Sequence, residues 1–376
     1  MAVVTTVHPW GDPRVFERGI ERMLDLGLEV HLFMPEPAER ATRPWDHPGD
    51  FHLHTLGPRG NRFWRLAQSA LAWAPLLARG PFQGVWFHDP ELIPAMALCK
   101  FIHPRAHFVY DIHEELPLEI HSKDYLPAWI RGPLSGLAAF GWWVAGRVFD
   151  SFAPATPPIA RWFPAPRTRT IRNFPKADFL GRPEAPPAAP DPRRVVFTGT
   201  LRRDRGIFEA LDAISALRAE GMDLRLELYG PLHEPELSAR ISEAVAQGWC
   251  AHAPWLPMDE LAKAIRGAGI GLFTYQDRPN YQEAIPTKVL EYMASGIPVV
   301  GSDFPATRAI LGSAGCGELY PPGNMGALKA AIRRMASDGE GLARMAQAGR
   351  TAYLRHFRWE AEQRQLDWHL DQMPDS

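Results

Sequence analysis

Residues 283–300 read Glu283-Ala284-Ile285-Pro286-Thr287-Lys288-Val289-Leu290-Glu291-Tyr292-Met293-Ala294-Ser295-Gly296-Ile297-Pro298-Val299-Val300. The stretch passes from loop to helix to turn to strand. Pro286 suits a first helical turn, where a missing N–H costs nothing, and Gly296 suits a left-handed C-cap. A helix start offers unpaired N–H groups and the positive end of the dipole, so Thr287 and Lys288 mark a candidate diphosphate site, with Arg205 completing the clamp. A carboxylate can accept hydrogen bonds from two vicinal hydroxyls, which assigns Glu291 to a nucleotide ribose and Glu283, nearer the phosphates, to a transferred sugar. The competing reading makes Glu283 a capping acid and Glu291 a solvated residue paired with Lys288.

Outward from this stretch, short β-rich runs alternate with longer helical patterns, the signature of an α/β protein with mostly parallel sheets. Strands are expected at Ala2–Val7, Glu29–Met34, Gly84–Phe87, His107–Asp111 and Val148–Ala153. A run with Pro183, Pro186, Pro187, Pro190 and Pro192 then stiffens the chain and forbids helix and central strand, reading as a linker over 179–193. The pattern restarts with strands at Arg194–Thr198, Leu224–Tyr229, Ile270–Tyr275 and Pro298–Gly301 and helices at Ile207–Arg218 and Met258–Gly267. This gives an N-terminal domain over 1–178, a C-terminal domain over 194–350, and a tail helix over 351–376. Helical pattern runs through Gly341–Gln372, and with Trp359 and Trp368 this segment is expected to pack back on the first domain.

At 376 residues the chain exceeds one ordinary core, which agrees with two domains. A net charge of −2 and a pI near 6.7 give no global attraction to nucleic acid. Cys99, Cys250 and Cys316 have no metal-ligand spacing and read as small core residues in a reducing compartment. The opening Ala2-Val3-Val4-Thr5-Thr6 lacks signal-peptide character, and no apolar run reaches the roughly 20 residues of a spanning helix. The expected location is cytoplasmic, with any membrane contact peripheral at the inner face. For such contact the candidate is Asn61-Arg62-Phe63-Trp64-Arg65-Leu66 and the run to Arg79, a basic aromatic helix; a core helix is the competing reading.

In open parallel sheets ligands bind at the carboxyl ends of the strands. There the sequence places His8-Pro9-Trp10-Gly11-Asp12-Pro13-Arg14, His88-Asp89-Pro90-Glu91, Asp111-Ile112-His113-Glu114-Glu115 and Gly199-Thr200-Leu201-Arg202-Arg203-Asp204-Arg205-Gly206. Any strand-to-helix turn also uses Gly, Asp and Pro. Together, however, the clusters put histidines and carboxylates at one sheet edge and arginines at the other, as a neutral polyol and a diphosphate would need.

Glu283 and Glu291, with seven residues between them and followed by Gly296-Ile297-Pro298-Val299-Val300, resemble the mark of the retaining glycosyltransferases of the GT-B fold, family-four type, of bacterial polysaccharide and glycolipid assembly. His88-Asp89-Pro90-Glu91-Leu92-Ile93-Pro94, Tyr110-Asp111-Ile112-His113-Glu114 and Arg172-Asn173-Phe174-Pro175 resemble further segments of that family. The resemblance implies two Rossmann-like domains facing across a cleft, with the C-terminal helix returning to the N-terminal domain. It implies donor binding by Gly11, Gly199, Thr200, Arg202, Arg205, Thr287, Lys288 and Glu291. His113, beside the anomeric carbon, and Glu283 would serve catalysis. The paired glycines usual in the first loop are replaced by Gly11-Asp12-Pro13-Arg14. Thr200 stands where an arginine is frequent, leaving Arg202 or Arg203 to substitute.

The resemblance implies transfer from a nucleoside-diphosphate sugar to a carbohydrate or lipid-linked hydroxyl with retained anomeric configuration. No Asp-x-Asp occurs, so no cofactor and no metal are expected. The rivals are a sugar-nucleotide 2-epimerase of the same fold and a non-catalytic sugar-binding relative.

Overall fold

The computed structural model describes residues 1–37, 50–123, 126–176, 187–254, 256–282 and 286–374. The chain divides into two compact units. Unit 1 comprises Met1–Asn173 and Glu362–Ser376; unit 2 comprises Phe174–Ala361.

Unit 1 is built on a parallel sheet of β1 (Ala2–Val4), β2 (Val30–Met34), β3 (Phe51–Thr55), β4 (Gly84–Phe87), β5 (His107–Ile112) and β6 (Ser151–Pro154), in the order β3-β2-β1-β4-β5-β6. Its inner strands are buried runs such as Val-Trp-Phe in β4, which is what a sheet covered on both faces requires. Helices α1 (Arg62–Leu71), α2 (Trp73–Arg79), α3 (Ile93–Ile102) and α4 (Ala128–Val148) pack in a row. The core centres on Phe87, Phe108, Tyr110, Trp142, Phe149 and Phe152. The expected strand Val148–Ala153 starts later, because α4 runs on through Val148 before the chain extends.

Unit 2 repeats the plan with β7 (Asp191–Thr198), β8 (Arg225–Tyr229), β9 (Cys250–Ala253), β10 (Ala268–Phe273), β11 (Val299–Ser302) and β12 (Gly317–Tyr320), ordered β12-β11-β10-β7-β8-β9. The helices used below are α5 (Ile207–Ala219), α6 (Thr287–Ser295), α7 (Gly339–Ala352) and α8 (Trp359–Leu370). In both sheets the strand order reverses beside the first strand, between β1 and β4 and between β7 and β10. Such switch points open a crevice at the carboxyl ends.

Several boundaries differ from expectation. Of the linker expected over 179–193, residues 179–186 lie outside the described residues and 191–193 open β7. Pro192 is tolerated in this central strand because the β7–β10 register shifts there and pairing with β8 begins only at Arg194. The helical tail is broken between α7 and α8. Tyr353 donates from its hydroxyl to the carbonyls of Pro175 and Lys176, Arg358 is extended, and the Trp359 N–H donates to Pro175 O. Within α8 the chain crosses back into unit 1, where Glu362 accepts from Arg172 and Asp367 from Arg22. Cys99, Cys250 and Cys316 are buried free thiols, each pushed up to about 12 by burial.

Candidate functional site

At the unit 1 switch point, the turn after β1 folds over Asp89, two residues beyond β4. Asp89 Oδ2 accepts from the Thr5 hydroxyl (2.9 Å), the Thr6 N–H (2.5 Å) and the Val7 N–H (3.2 Å). Beneath it, the buried guanidinium of Arg14 grips Asp111 through Nε (3.0 Å) and Nη2 (2.5 Å), and Trp86 Nε1 donates to the same carboxylate at 3.1 Å. Arg14 Nη1 donates to Ile171 O (2.6 Å) and Asn173 Oδ1 (2.7 Å), so all its forks are used within unit 1.

On this base stand His8, His88 and His113. The rings of His8 and His113 lie 4.4 Å apart, and His88 Nδ1 is 3.1 Å from His113 Nε2. His8 Nδ1 meets Asp12 Oδ2 at 3.1 Å, while Asp12 Oδ1 accepts from the N–H groups of Arg14 and Val15, fixing the start of the next helical turn. Gly11 sits in that turn with φ +79°. The two histidines titrate apart. Burial lowers His113 to about 4, with the Arg14 charge reinforcing it against Asp111. Burial also works against the His8 imidazolium, but Asp12, Asp89 and Asp111 outweigh it and raise the pKa.

His88, Asp111 and His113 are close enough to share a cation. The carboxylate among them is already charge-paired with Arg14, which leaves it little attraction for an ion.

At the unit 2 switch point, Gly199 follows β7 and Thr274 follows β10. Gly206 ends a tight turn over Arg203–Arg205 and begins α5 at φ +71°. A Cβ there would stand 1.8 Å from the Thr274 carbonyl oxygen, so only glycine lets these backbones touch. The Thr274 hydroxyl, 3.1 Å from the carbonyls of Arg205 and Gly206, closes the contact. That contact fixes where Arg205 leaves the chain.

Pro286 is the extended cap before α6 rather than its first helical residue, and its carbonyl accepts from Val289 N–H at 2.9 Å. Gly296 ends the helix at φ +65°, with Ile297 N–H returning to Tyr292 O. Thr287 is exposed at the first turn. Lys288 is buried, and among the described residues its Nζ has no hydrogen-bond partner. It lies 3.3 Å from the centroid of Phe197 and 5.1 Å from that of Tyr275. Arg205 is alongside, 5.5 Å from the Tyr275 centroid, with its Nε buried and unpartnered and Nη1 near Thr200 O at 3.4 Å. Both side chains approach Gly199, whose Cβ position would be 3.5 Å from Arg205 Nη1 and 3.6 Å from Lys288 Cε. Burial, then the Arg205 charge, hold Lys288 well below the usual lysine value; Glu291 pulls the other way. Two cations so placed, on two aromatic faces at a helix start, favour an anion.

Arg202 pairs with Asp204 and Arg203 with Glu236, both on the exposed rim, so Arg205 is the arginine directed at Lys288. Glu291 is half-buried on α6. Glu283 lies outside the described residues. Sequence reasoning missed Thr5, Thr6, Phe197 and Tyr275; the only signal for the last two was their place at the ends of β7 and β10.

This architecture is the GT-B fold. Sucrose-phosphate synthase from Thermosynechococcus elongatus superposes with a TM-score of 0.72 over 99% of this chain and 98% of its own, at 18% identity. HepE from Anabaena in complex with UDP-glucose gives 0.72 over 99% and 100%, at 14% identity. Residues 182–352, within unit 2, match the family described as Glycosyl transferases group 1. Amylovoran biosynthesis glycosyltransferase AmsK of Erwinia amylovora is 27% identical over 40% of this chain and 37% of its own. The MMP alpha-(1->4)-mannosyltransferase of Mycolicibacterium hassiacum is 26% identical over 42% and 37%. The matches thus span 37% of the length of these curated relatives.

Proposed function

We propose that the chain transfers a sugar from a nucleoside-diphosphate sugar to a hydroxyl of a carbohydrate or lipid-linked acceptor, retaining the anomeric configuration. The observation that carries this reading is the buried, unpartnered ammonium of Lys288 beside Arg205 at the start of α6. Departure of a nucleoside diphosphate builds negative charge on phosphate oxygens, which fixed cations and helix N–H groups stabilise. Glu291, one turn along α6, binds the ribose; Glu283 and His113 serve the transferred sugar. With His113 lowered to about 4, it is a neutral imidazole at physiological pH, suited to hydrogen bonding without added charge. The reaction proceeds by front-side attack, with no protein nucleophile and no divalent metal.

The test is turnover with a panel of nucleoside-diphosphate sugars, with and without EDTA, reading product configuration by NMR. Glu283→Ala should lower kcat severely and Glu291→Ala mainly weaken donor binding; near-wild-type kinetics for both would refute the assignment. A sugar changed by the protein with no acceptor present would favour the epimerase.

The acceptor reading extends to an anionic membrane surface. Among the described residues, every exposed large hydrophobic side chain except Val245 belongs to unit 1. The helix row carries most of them, including Phe63, Phe101 (85% exposed), Trp129 (78%), Leu137, Phe140 and Trp143. Helix α1 turns Phe63 and Leu66 outward while burying Gln68 and Ser69, the reverse of a water-facing helix. Residues 51–88, 92–110 and 126–149 contain no Asp or Glu. Arg65 is paired with Glu91 and Lys100 with Asp150, both acids lying just outside these stretches, and Arg59, Arg79, Arg105, Arg131 and Arg147 are further basic residues within them. Apolar rings with an excess of cations over acids fit an anionic bilayer interface. Co-flotation with phosphatidylglycerol vesicles, lost in Trp129→Ser/Trp143→Ser and weak with phosphatidylcholine alone, is the expected result. Equal flotation of variant and wild type would remove this surface from the proposal.

A further inference from the structure

The opposite end of the unit 1 sheet carries a second cluster of titratable groups. Glu29 immediately precedes β2, His31 is in β2, and His52 and His54 are in β3. Side chains alternate along a strand, and His31 and His52 are register partners across the parallel pair. All of these groups therefore share one face. Glu29 Oε1 is 3.1 Å from His31 Nε2 and 3.0 Å from His52 Nε2, and the two rings stack at 4.5 Å. His31 Nδ1 is in turn 2.9 Å from His54 Nε2, and His54 stacks on Phe33 at 4.7 Å.

From this geometry we propose that Glu29, His31 and His52 form a binding site for one divalent transition-metal ion of the zinc class. The three ligand atoms lie within 4.8 Å of one another. Tetrahedral bonds of about 2.0–2.1 Å would separate such atoms by about 3.3 Å, so the carboxylate-to-imidazole spacings need to open by only a few tenths of an ångström. A carboxylate oxygen and two imidazole nitrogens suit Zn²⁺, whereas Mg²⁺ and Ca²⁺ want all-oxygen shells. The Nδ1–H of a metal-bound His31 would donate to His54, the outer hydrogen bond that orients a ligating imidazole.

His88, Asp111 and His113 offer the same ligand types, but Asp111 is neutralised by Arg14. Glu29 meets the imidazoles of His31 and His52 through Oε1 and is 59% exposed at its side chain, open to an ion from solvent. The cluster stands toward the amino ends of β2 and β3, so the ion takes no part in the switch-point chemistry. It would tie edge strand β3 to β2.

The test titrates the full EDTA-dialysed chain with Zn²⁺ alone by calorimetry and thermal melting, and with Co²⁺ by visible absorption. One equivalent should bind, raise the melting midpoint and give the absorption bands of nitrogen- and oxygen-ligated Co²⁺. His52→Ala and Glu29→Gln should each lower zinc affinity about tenfold or more and abolish the shift in midpoint, while His113→Ala keeps both. Both ligand positions are solvent-exposed, and unchanged metal-free melting of the variants would show that folding is intact. The proposal is overturned if wild type takes up no zinc, if zinc binding survives unchanged in His52→Ala, or if it disappears in His113→Ala instead.

Discussion

Lys288 Nζ lies 3.3 Å from the ring centroid of Phe197, enclosed among aromatic groups rather than carboxylates. An ammonium held this way in the free protein is costly and becomes favourable when an anion arrives. Lys288→Met should weaken nucleoside-diphosphate affinity by about 30-fold or more, yet leave the ligand-free melting midpoint unchanged or higher. Calorimetry and melting curves on the same samples separate the two effects.

The same lysine links binding to protons. With its folded pKa well below the unfolded one, the unfolded chain binds more protons between the two values. Ligand-free stability therefore rises with pH across that window and is diminished below it. A bound diphosphate reverses the shift, so binding above the free-protein pKa should take up a proton. Titrations in buffers of different ionisation enthalpy measure it, and Lys288→Met should abolish it.

Gly206 is the hinge of a different constraint, the backbone contact with Thr274. Gly206→Ala places a methyl against the Thr274 carbonyl at positive φ and should cost at least about 2 kcal/mol in denaturant unfolding. Because Arg205 precedes it directly, donor affinity should fall as well. Ala substitution at Gly312, where nothing lies within 4 Å of the added carbon, should be close to neutral.

Arg14 and Asp111 form a pair in which both side chains are almost fully buried. Arg14→Met leaves a carboxylate buried without its counter-charge and should destabilise unit 1 by about 3–5 kcal/mol. Asp111→Asn in the Arg14→Met background should recover part of that loss, measured as a coupling in a double-mutant cycle.

His8 and His113 should titrate on opposite sides of the ordinary imidazole value. NMR of the folded protein should give His8 a midpoint above 6.5 and His113 one near 4. The stability that His8 contributes is then present below 6.5 and lost as pH rises through its folded value. His113 acts oppositely, destabilising the fold as pH drops from 6.5 toward 4. An activity profile with no His113 limb near neutrality should accompany this.

Much of the sheet architecture was legible because strands such as Gly84–Phe87 are short apolar runs between polar turns. Phe51–Thr55 was not, since His52 and His54 on an edge strand mask its apolar alternation. Cys250–Ala253 escaped notice for its small residues. At the candidate site, the Gly-capped helix after Pro286 pointed to Lys288, whereas Phe197 and Tyr275 looked like ordinary core until the fold set them around its ammonium. Arg14 and Asp111, 97 residues apart, carry no local sign of their pairing. The outward rings of α4, such as Trp129 and Trp143, gave no sign of their exposure, because composition reports apolarity but not which side of a helix meets water.

Unit 2 is an insertion within unit 1, bounded by Asn173 and Glu362. During synthesis every residue of unit 2 emerges before the final piece of unit 1 exists. That piece brings the carboxylates that meet Arg172 and Arg22 and the His369 ring that meets Ser151. The residues of unit 2 are therefore all present before those of the unit that surrounds it, whose structure needs the segment from Glu362 onward before it can be finished.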